Sequence, residues 1–530
     1  MDDTAMIPAI PRPDTPIANG QIQEQEKVVQ EPSAATPDSA STLHNSAEIP
    51  HPIASDAPAP APLVIASKPT WPLEQTQPAI TGYVGLLTLT LAAAFTAVNR
   101  EAPYFNSIYS HLPLSQVAML DSCVMALWDW RYAILFALGL LSMVAVEVLY
   151  VKSYRRHFNF AAPKTLDREA WARIVARGLG LMCCFVPITF LYVYLGEYSF
   201  YELNYKAKWY YSHFHTLFIT GVPVVLLLCW PYFYALERFG IDDGLNDELL
   251  TVARWIHTPM AQIRSGEPHQ RHQNAHVANF ARTLIVKFFF IPVMVAFWYG
   301  NWTSWEYRVH QFIQNLDTMH WEDVTNVAVN FHSCARAVYA YILLIDVSLG
   351  LMGYLASTRL LDTQVVTAEP TLFGWMVALL CYPPIQRGVT AIYLEYSSYD
   401  IWPIALFREH PTLSILMTFI SLLLMGIYSW ATVAFGLRFS NLTNRGVVCS
   451  GPYKWVRHPA YICKNTSWWL DALPSMILNP AMTPIYIMRL VATNTLYGLR
   501  AITEERHLMR EPHYQEYCKK VPWRFLPGLW

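Results

Sequence analysis

Two short clusters near the C-terminal end of the chain combine residue types that could do chemistry. The first runs Asn444-Arg-Gly-Val-Val-Cys-Ser-Gly-Pro-Tyr-Lys-Trp-Val-Arg-His-Pro-Ala-Tyr461. Gly446, Gly451 and Pro452 break any helix, so the chain turns here and presents Arg457, His458 and Tyr461 together. Pro459 suits the first position of a following helix, whose unpaired backbone N–H groups would then face an anion. The second cluster is Arg500-Ala-Ile-Thr-Glu-Glu-Arg-His-Leu508. Arg500 and Glu504 share a helix face, and Glu505 lies about 100° round from Glu504. Adjacent carboxylates beside a guanidinium suit a ligand charged at both ends, such as an amino acid. Each cluster also has a plainer reading: a basic membrane anchor with an interfacial Tyr, and a solvated ion pair. The anchor reading explains the charges of the first cluster but leaves its His-Pro and double Gly without a reason.

The elements that must position these clusters are set by composition. Of 530 residues 54% are apolar and 14% charged, against roughly 25% charged in a soluble domain. The deficit falls in blocks of about twenty residues, the length that crosses a ~30 Å hydrocarbon core. Their apolar residues run on without alternating, so they read as helices and not barrel strands. Eight spans follow: Ile80 to Val98, Arg131 to Val151, Ile174 to Gly196, His213 to Leu236, Thr283 to Gly300, His332 to Ser357, Pro370 to Leu394 and Thr412 to Gly436. Two further segments, Tyr461 to Leu478 and Pro484 to Leu499, form a hairpin through Asn479. The expected fold is an all-α polytopic transmembrane helical bundle of about ten membrane segments, with a cytosol-facing C-terminal catalytic region. Residues 1–78, rich in Pro, Ala and Ser, read as a disordered cytosolic tail, 79–411 as a helical region of unassigned role and 412–530 as the catalytic core.

Basic residues orient the bundle. With the N-terminus in the cytosol, inside segments carry 26 Lys and Arg and outside segments 6, which also puts the C-terminus in the cytosol. Both clusters then face the cytosol. Aromatics in the outside connections, among them Trp209, Trp302, Trp305 and Trp321, read as an interfacial belt. Arg177 and Lys287 should snorkel, whereas Arg336, Arg387 and the acidic Asp346 lie deeper, where an internal ion pair is the preferred reading and a substrate route the alternative. His257, His269, His272 and His276 read as an exposed loop, and the nine cysteines show no zinc-ligand spacing, so no metal is expected. Nothing in the charge pattern suggests nucleic acid.

The order Gly-Pro-Tyr-x-x-x-Arg-His-Pro-x-Tyr (451–461), Asn479-Pro480, Arg-x-x-x-Glu-Glu-x-x-Leu (500–508), Tyr514 with Tyr517, and Val521-Pro522 resembles the isoprenylcysteine carboxyl methyltransferase family and its phospholipid methyltransferase relatives. The resemblance covers residues 430–530 and departs where that family often has Gly, since this chain has Cys463-Lys464-Asn465. It implies an S-adenosylmethionine site made by Tyr453, Arg457, His458, Pro459, Tyr461, Glu504, Glu505, Val521 and Pro522, with Arg500 and Asn479 catalytic. It also implies a hydrophobic or lipid-like methyl acceptor entering from the membrane lipids. Arg500 is expected to grip the acceptor's carboxylate. The ending from Tyr517 to Gly528 also resembles membrane sterol or enone reductases that use NADPH, although no upstream basic cluster like theirs is present. A non-enzymatic membrane protein with a degenerate site is the third reading.

Overall fold

In hydrocarbon every backbone N–H and C=O must be satisfied inside its own segment, which is why the continuous apolar runs of this chain form helices. The computed structural model describes residues 78–98, 130–196, 207–242, 271–316, 322–383 and 404–528, with a few isolated positions between. The helices are α1 (Pro78–Val98), α2 (Arg131–Ala145, prolonged by a π-helical stretch Val146–Val151), α3 (Arg168–Gly196), α4 (Ala207–Phe239), α5 (Arg271–Leu316) and α6 (Val324–Leu355). Then come α7 (Leu372–Leu379), α8 (Ile404–Glu409), α9 (Pro411–Phe435), α10 (Pro459–Leu478), α11 (Thr483–Leu508) and α12 (Pro512–Lys520). Seven helices among the described residues, α1 to α6 and α9, are long and apolar enough to cross a membrane.

Several expectations change. The seventh predicted span is helical over Leu372–Leu379 and then turns, with Cys381 N bonded to Ala378 O and Tyr382 N to Leu379 O; the rest of it, with Arg387, lies mostly outside the described residues. α5 has 46 residues, about 69 Å at 1.5 Å per residue. It therefore continues well past the predicted Gly300, and Trp302 and Trp305 are buried, with Trp298, against α2 and α6 instead of forming a belt. The ring of Trp302 lies 5.3 Å from Tyr132 and that of Trp298 5.2 Å from Phe136. His272 and His276 are in its first turns, not in a loop. Trp321, His257 and His269 fall outside the described residues, as does the tail before Pro78.

Arg177 does not snorkel. It is buried, with Glu237 of α4 at 2.6 Å and Asp247, which follows α4, at 2.7 Å. Asp346 and Arg336 are ten residues apart on α6, about 15 Å along the axis, so they cannot pair directly. Asp346 instead accepts hydrogen bonds from Tyr428 (2.5 Å) and Thr432 (2.5 Å) of α9.

One end of the bundle collects the connections that the basic-residue count had placed together. Thr81 at the start of α1 bonds Glu147 at the end of α2, at 2.6 Å. Arg156 and His157 after α2, Asp362 after α6 and Arg438 after α9 meet in one ion cluster. Asn279 near the start of α5 takes the N–H of Ala368 at 2.8 Å. Ala368 belongs to a two-stranded antiparallel ladder, β1 (Thr367–Ala368) against β2 (Thr443–Asn444), that nothing in the sequence pattern announced. α1 and α9 cross closely: a Cβ at Gly82 would stand 1.8 Å from the carbonyl oxygen of Val433. The start of α10 and the end of α11 lie at this same end.

Candidate active site

After α9 the chain makes a 3-10 turn at Gly436–Arg438, pairs through β2 and reaches the Gly-Pro-Tyr turn. Gly451 has φ 59°, and a Cβ there would lie 3.0 Å from that of Ala434, so the turn needs glycine for both conformation and space. Tyr453 then packs edge-on to Phe435 of α9, with centroids 5.1 Å apart. Pro459 occupies the first turn of α10 as expected. The Arg-His pair ahead of it is fixed by a C-terminal strap: Arg457 N donates to Trp523 O and His458 N to Arg524 O, each at 2.9 Å.

Glu505 ties this assembly together. Arg524 Nε donates to its Oε2 at 2.8 Å, while His458 Nε2 and Arg457 Nε both lie 3.1 Å from Oε1. An ionised carboxylate only accepts, so the His458 nitrogen facing it carries the proton. Burial would raise the Glu505 carboxyl, but the hydrogen bonds from His458 and Arg524 and the nearby positive charges outweigh it and hold the group below the ordinary carboxylate value. Glu504 has different neighbours. Its Oε1 accepts from Tyr461 OH at 2.5 Å and Arg500 Nε at 3.0 Å, and among the described residues no group hydrogen-bonds its Oε2.

Arg500 is buried, its guanidinium carbon 5.3 Å from the ring centroid of Tyr461, 5.6 Å from Tyr382 and 5.9 Å from Tyr497. Its Nη2 donates to Asn441 Oδ1 at 2.5 Å, and Asn441 Nδ2 donates to Tyr382 OH at 3.0 Å. Of the guanidinium expected to grip a carboxylate, Nε and Nη2 are therefore engaged by the protein. Arg445, also buried, points Nη1 at the carbonyls of Gly353 (2.7 Å), Phe439 (3.0 Å) and Leu437 (3.3 Å). Burial pushes its pKa down to about 10, which still leaves it charged at neutral pH.

A cavity of about 200 Å³ joins the two sequence clusters. Tyr453, Arg457, His458, Tyr461, Arg500 and Glu504 line it. Glu505 stands behind Arg457 and His458, Pro459 is buried in the first turn, and Val521 belongs to the apolar cluster with Tyr453, Tyr514 and Tyr517 that backs the wall. Pro522 is exposed beside it. Asn479 caps the far end of α10, a 20-residue helix, about 30 Å from His458, so the structure does not bring it to the cavity. Sequence reasoning missed Asn441, Tyr382, Tyr428 and Thr432 as neighbours of the site. The polar run Asn441-Leu-Thr-Asn-Arg445 after an apolar span was a usable signal for the first; the others carry none outside the fold.

These features define a helical protein with candidate membrane spans and, at one end of the bundle, a cavity lined by charged and aromatic side chains. Residues 412–510, about a fifth of the chain, match the model of the isoprenylcysteine carboxyl methyltransferase (ICMT) family. That stretch holds all but the first residue of α9, all of α10 and α11 and both motif clusters, and it is similar to the methyltransferases of that family. No curated protein and no solved structure matches the chain.

Proposed function

We propose that this protein is an S-adenosylmethionine-dependent methyltransferase that methylates a carboxylate of a hydrophobic or lipid-like acceptor at the cytosolic face of a membrane. The observation that carries this reading is Glu504: it lines the cavity, is oriented by Tyr461 and Arg500, and keeps one oxygen without a hydrogen-bond donor among the described residues. A carboxylate so placed fits the ammonium of the cofactor's methionine part. When bound, the cofactor supplies an activated methyl on a sulfonium, which an ionised carboxylate can take without a general base. The protein's task is then alignment at roughly 3 to 3.5 Å. Tyr461 and Arg500 fix Glu504; Glu505 and the strap fix Arg457 and His458; Tyr453, Tyr514 and Tyr517 supply an aromatic wall that limits water. An acceptor would come from the bilayer, since α11 carries exposed Leu499 and Ile502 beside the cavity-lining Arg500 and Thr503.

The test is calorimetric titration of the detergent-solubilised chain with S-adenosylmethionine and, separately, NADPH. Binding of the first alone is expected. Binding of NADPH alone would move the protein to the reductases, and binding of neither would remove the enzymatic reading.

A further inference from the structure

Four arginines line the cavity, and each has protein partners. Arg438 meets Asp362, Arg445 meets three carbonyls through Nη1 while its buried Nε and Nη2 have no hydrogen-bond partner among the described residues, Arg457 meets Glu505, and Arg500 meets Glu504 and Asn441. Lys464 lines the same cavity and differs from all of them. It lies one turn beyond Tyr461 on α10, half-buried, with Nζ 5.1 Å from the ring centroid of Tyr428 and 5.2 Å from that of Trp468. No carboxylate among the described residues reaches ion-pair distance of it. Asp346 attracts it from farther off, but both of that carboxylate's oxygens already accept from Tyr428 and Thr432.

A lysine at this depth is costly unless something in its surroundings uses the charge. Two aromatic faces hold an ammonium in position without neutralising it. The N–H groups of Lys464 thus remain available on the side of the cavity nearest α9, next to rings that would accommodate an apolar body. An anion with a greasy remainder is the ligand such a wall fits.

We infer that Lys464 recognises the negative charge of the acceptor, so that the cavity selects an ionised lipid-like carboxylate over its ester or alcohol. The inference deepens the methyl-transfer reading and rests on it for the word acceptor. It also transfers to Lys464 the carboxylate contact that the sequence had assigned to Arg500, whose fork is engaged elsewhere. A flexible ammonium gives up the bidentate geometry of a guanidinium and keeps the charge discrimination. The position coincides with the departure from the family pattern at Cys463-Lys464-Asn465.

The experiment compares binding of palmitate and methyl palmitate to the full-length protein in one detergent. The parent should prefer the anion by about 10- to 100-fold, the range of one charge-assisted hydrogen bond. Lys464→Arg should keep most of that preference and Lys464→Met should abolish it. If Lys464→Met unfolds because the buried charge of Asp346 loses its counter-charge, the Asp346→Asn/Lys464→Met double variant carries the comparison and should likewise show no preference. A parent indifferent to charge, or a preference that survives loss of Lys464, overturns the inference. Titration of the same samples with S-adenosylmethionine is read separately: palmitate selectivity lost with Lys464 in a protein that does not bind the cofactor would support the anion site while ending the methyltransferase reading.

Discussion

At the scale of single residues, adjacent Glu504 and Glu505 take different parts because a 100° rotation about α11 gives them different neighbours. Glu504→Gln should weaken S-adenosylmethionine binding by about 1.5–3 kcal/mol, roughly one to two orders of magnitude, with little change in thermal unfolding. Glu505→Gln should instead loosen the strap, lowering the unfolding midpoint and exposing the segment near Arg524 to protease; equal cofactor losses without that exposure would refute the division. The sequence showed the pair and its arginine, but not which oxygen was spoken for, since Arg524, Tyr461 and Asn441 arrive from three other segments. His507 gives a pH test. It bonds Thr367 at 3.0 Å, and burial pushes its pKa down to about 4 against an ordinary value of about 6.5. The unfolded chain therefore takes the proton first, so His507 stabilises the fold in full above about pH 6.5 and loses that contribution as pH falls toward 4. Glu505 and Asp362, both held below the ordinary carboxylate range, act only further down. His507→Gln should flatten the unfolding midpoint between pH 6.5 and 4.5; an unchanged slope there would assign the loss to another group.

At the scale of elements, long apolar runs were legible and their ends were not. Continuous apolar runs with few charges located α1 to α6 and α9, but α5 extends far past its apolar stretch because Trp302 and Trp305 find partners in the neighbouring helices. The short β1–β2 ladder has no hydrophobic alternation to reveal it; it forms because Thr367 and Asn444 are brought together by the connections on either side. α10 and α11 form the expected hairpin through Asn479 and a 3-10 turn at Pro480–Met482, yet both carry too many polar residues to qualify as spans on hydropathy. Those polar groups face inward: Asp471 is buried with Ser421 and Ser467, while Ile477, Ile485 and Met488 are exposed. The hairpin should therefore cross the bilayer. A single cysteine at Ala481, in a background lacking the native ones, should react with an impermeant maleimide only from the side opposite the motif clusters. Labelling from their side would make the hairpin peripheral.

At the scale of the molecule, the region that matches the ICMT family does not build its own surroundings. Asn279, Tyr354, Glu369 and Tyr382 all lie upstream of residue 412, and they hold β1, Asn441, His507 and the ring around Arg500. The upstream helices, which had no assigned role in the sequence, thus supply part of the frame of the cavity. Asp362 shows what this arrangement does. It sits at φ 53°, a left-handed conformation that Asp tolerates better than most residues, and its buried carboxylate receives Arg156, Arg438 (2.5 Å) and His157 (2.9 Å). Burial raises its pKa, but His157 and the two guanidinium charges more than reverse that. Removing the shared partner strands two arginines, a loss of about 3–5 kcal/mol for a buried pair, so Asp362→Asn should lower the unfolding midpoint sharply. Because one carboxylate anchors the segments that follow α2, α6 and α9, those segments share their degrees of freedom: a tilt of α2 in a thinner or thicker bilayer is passed to Arg438 and on to the loop that carries Asn441. Hydrogen exchange at residues 438–446 should then vary with lipid chain length in the parent, and should cease to follow it once Asp362 is gone.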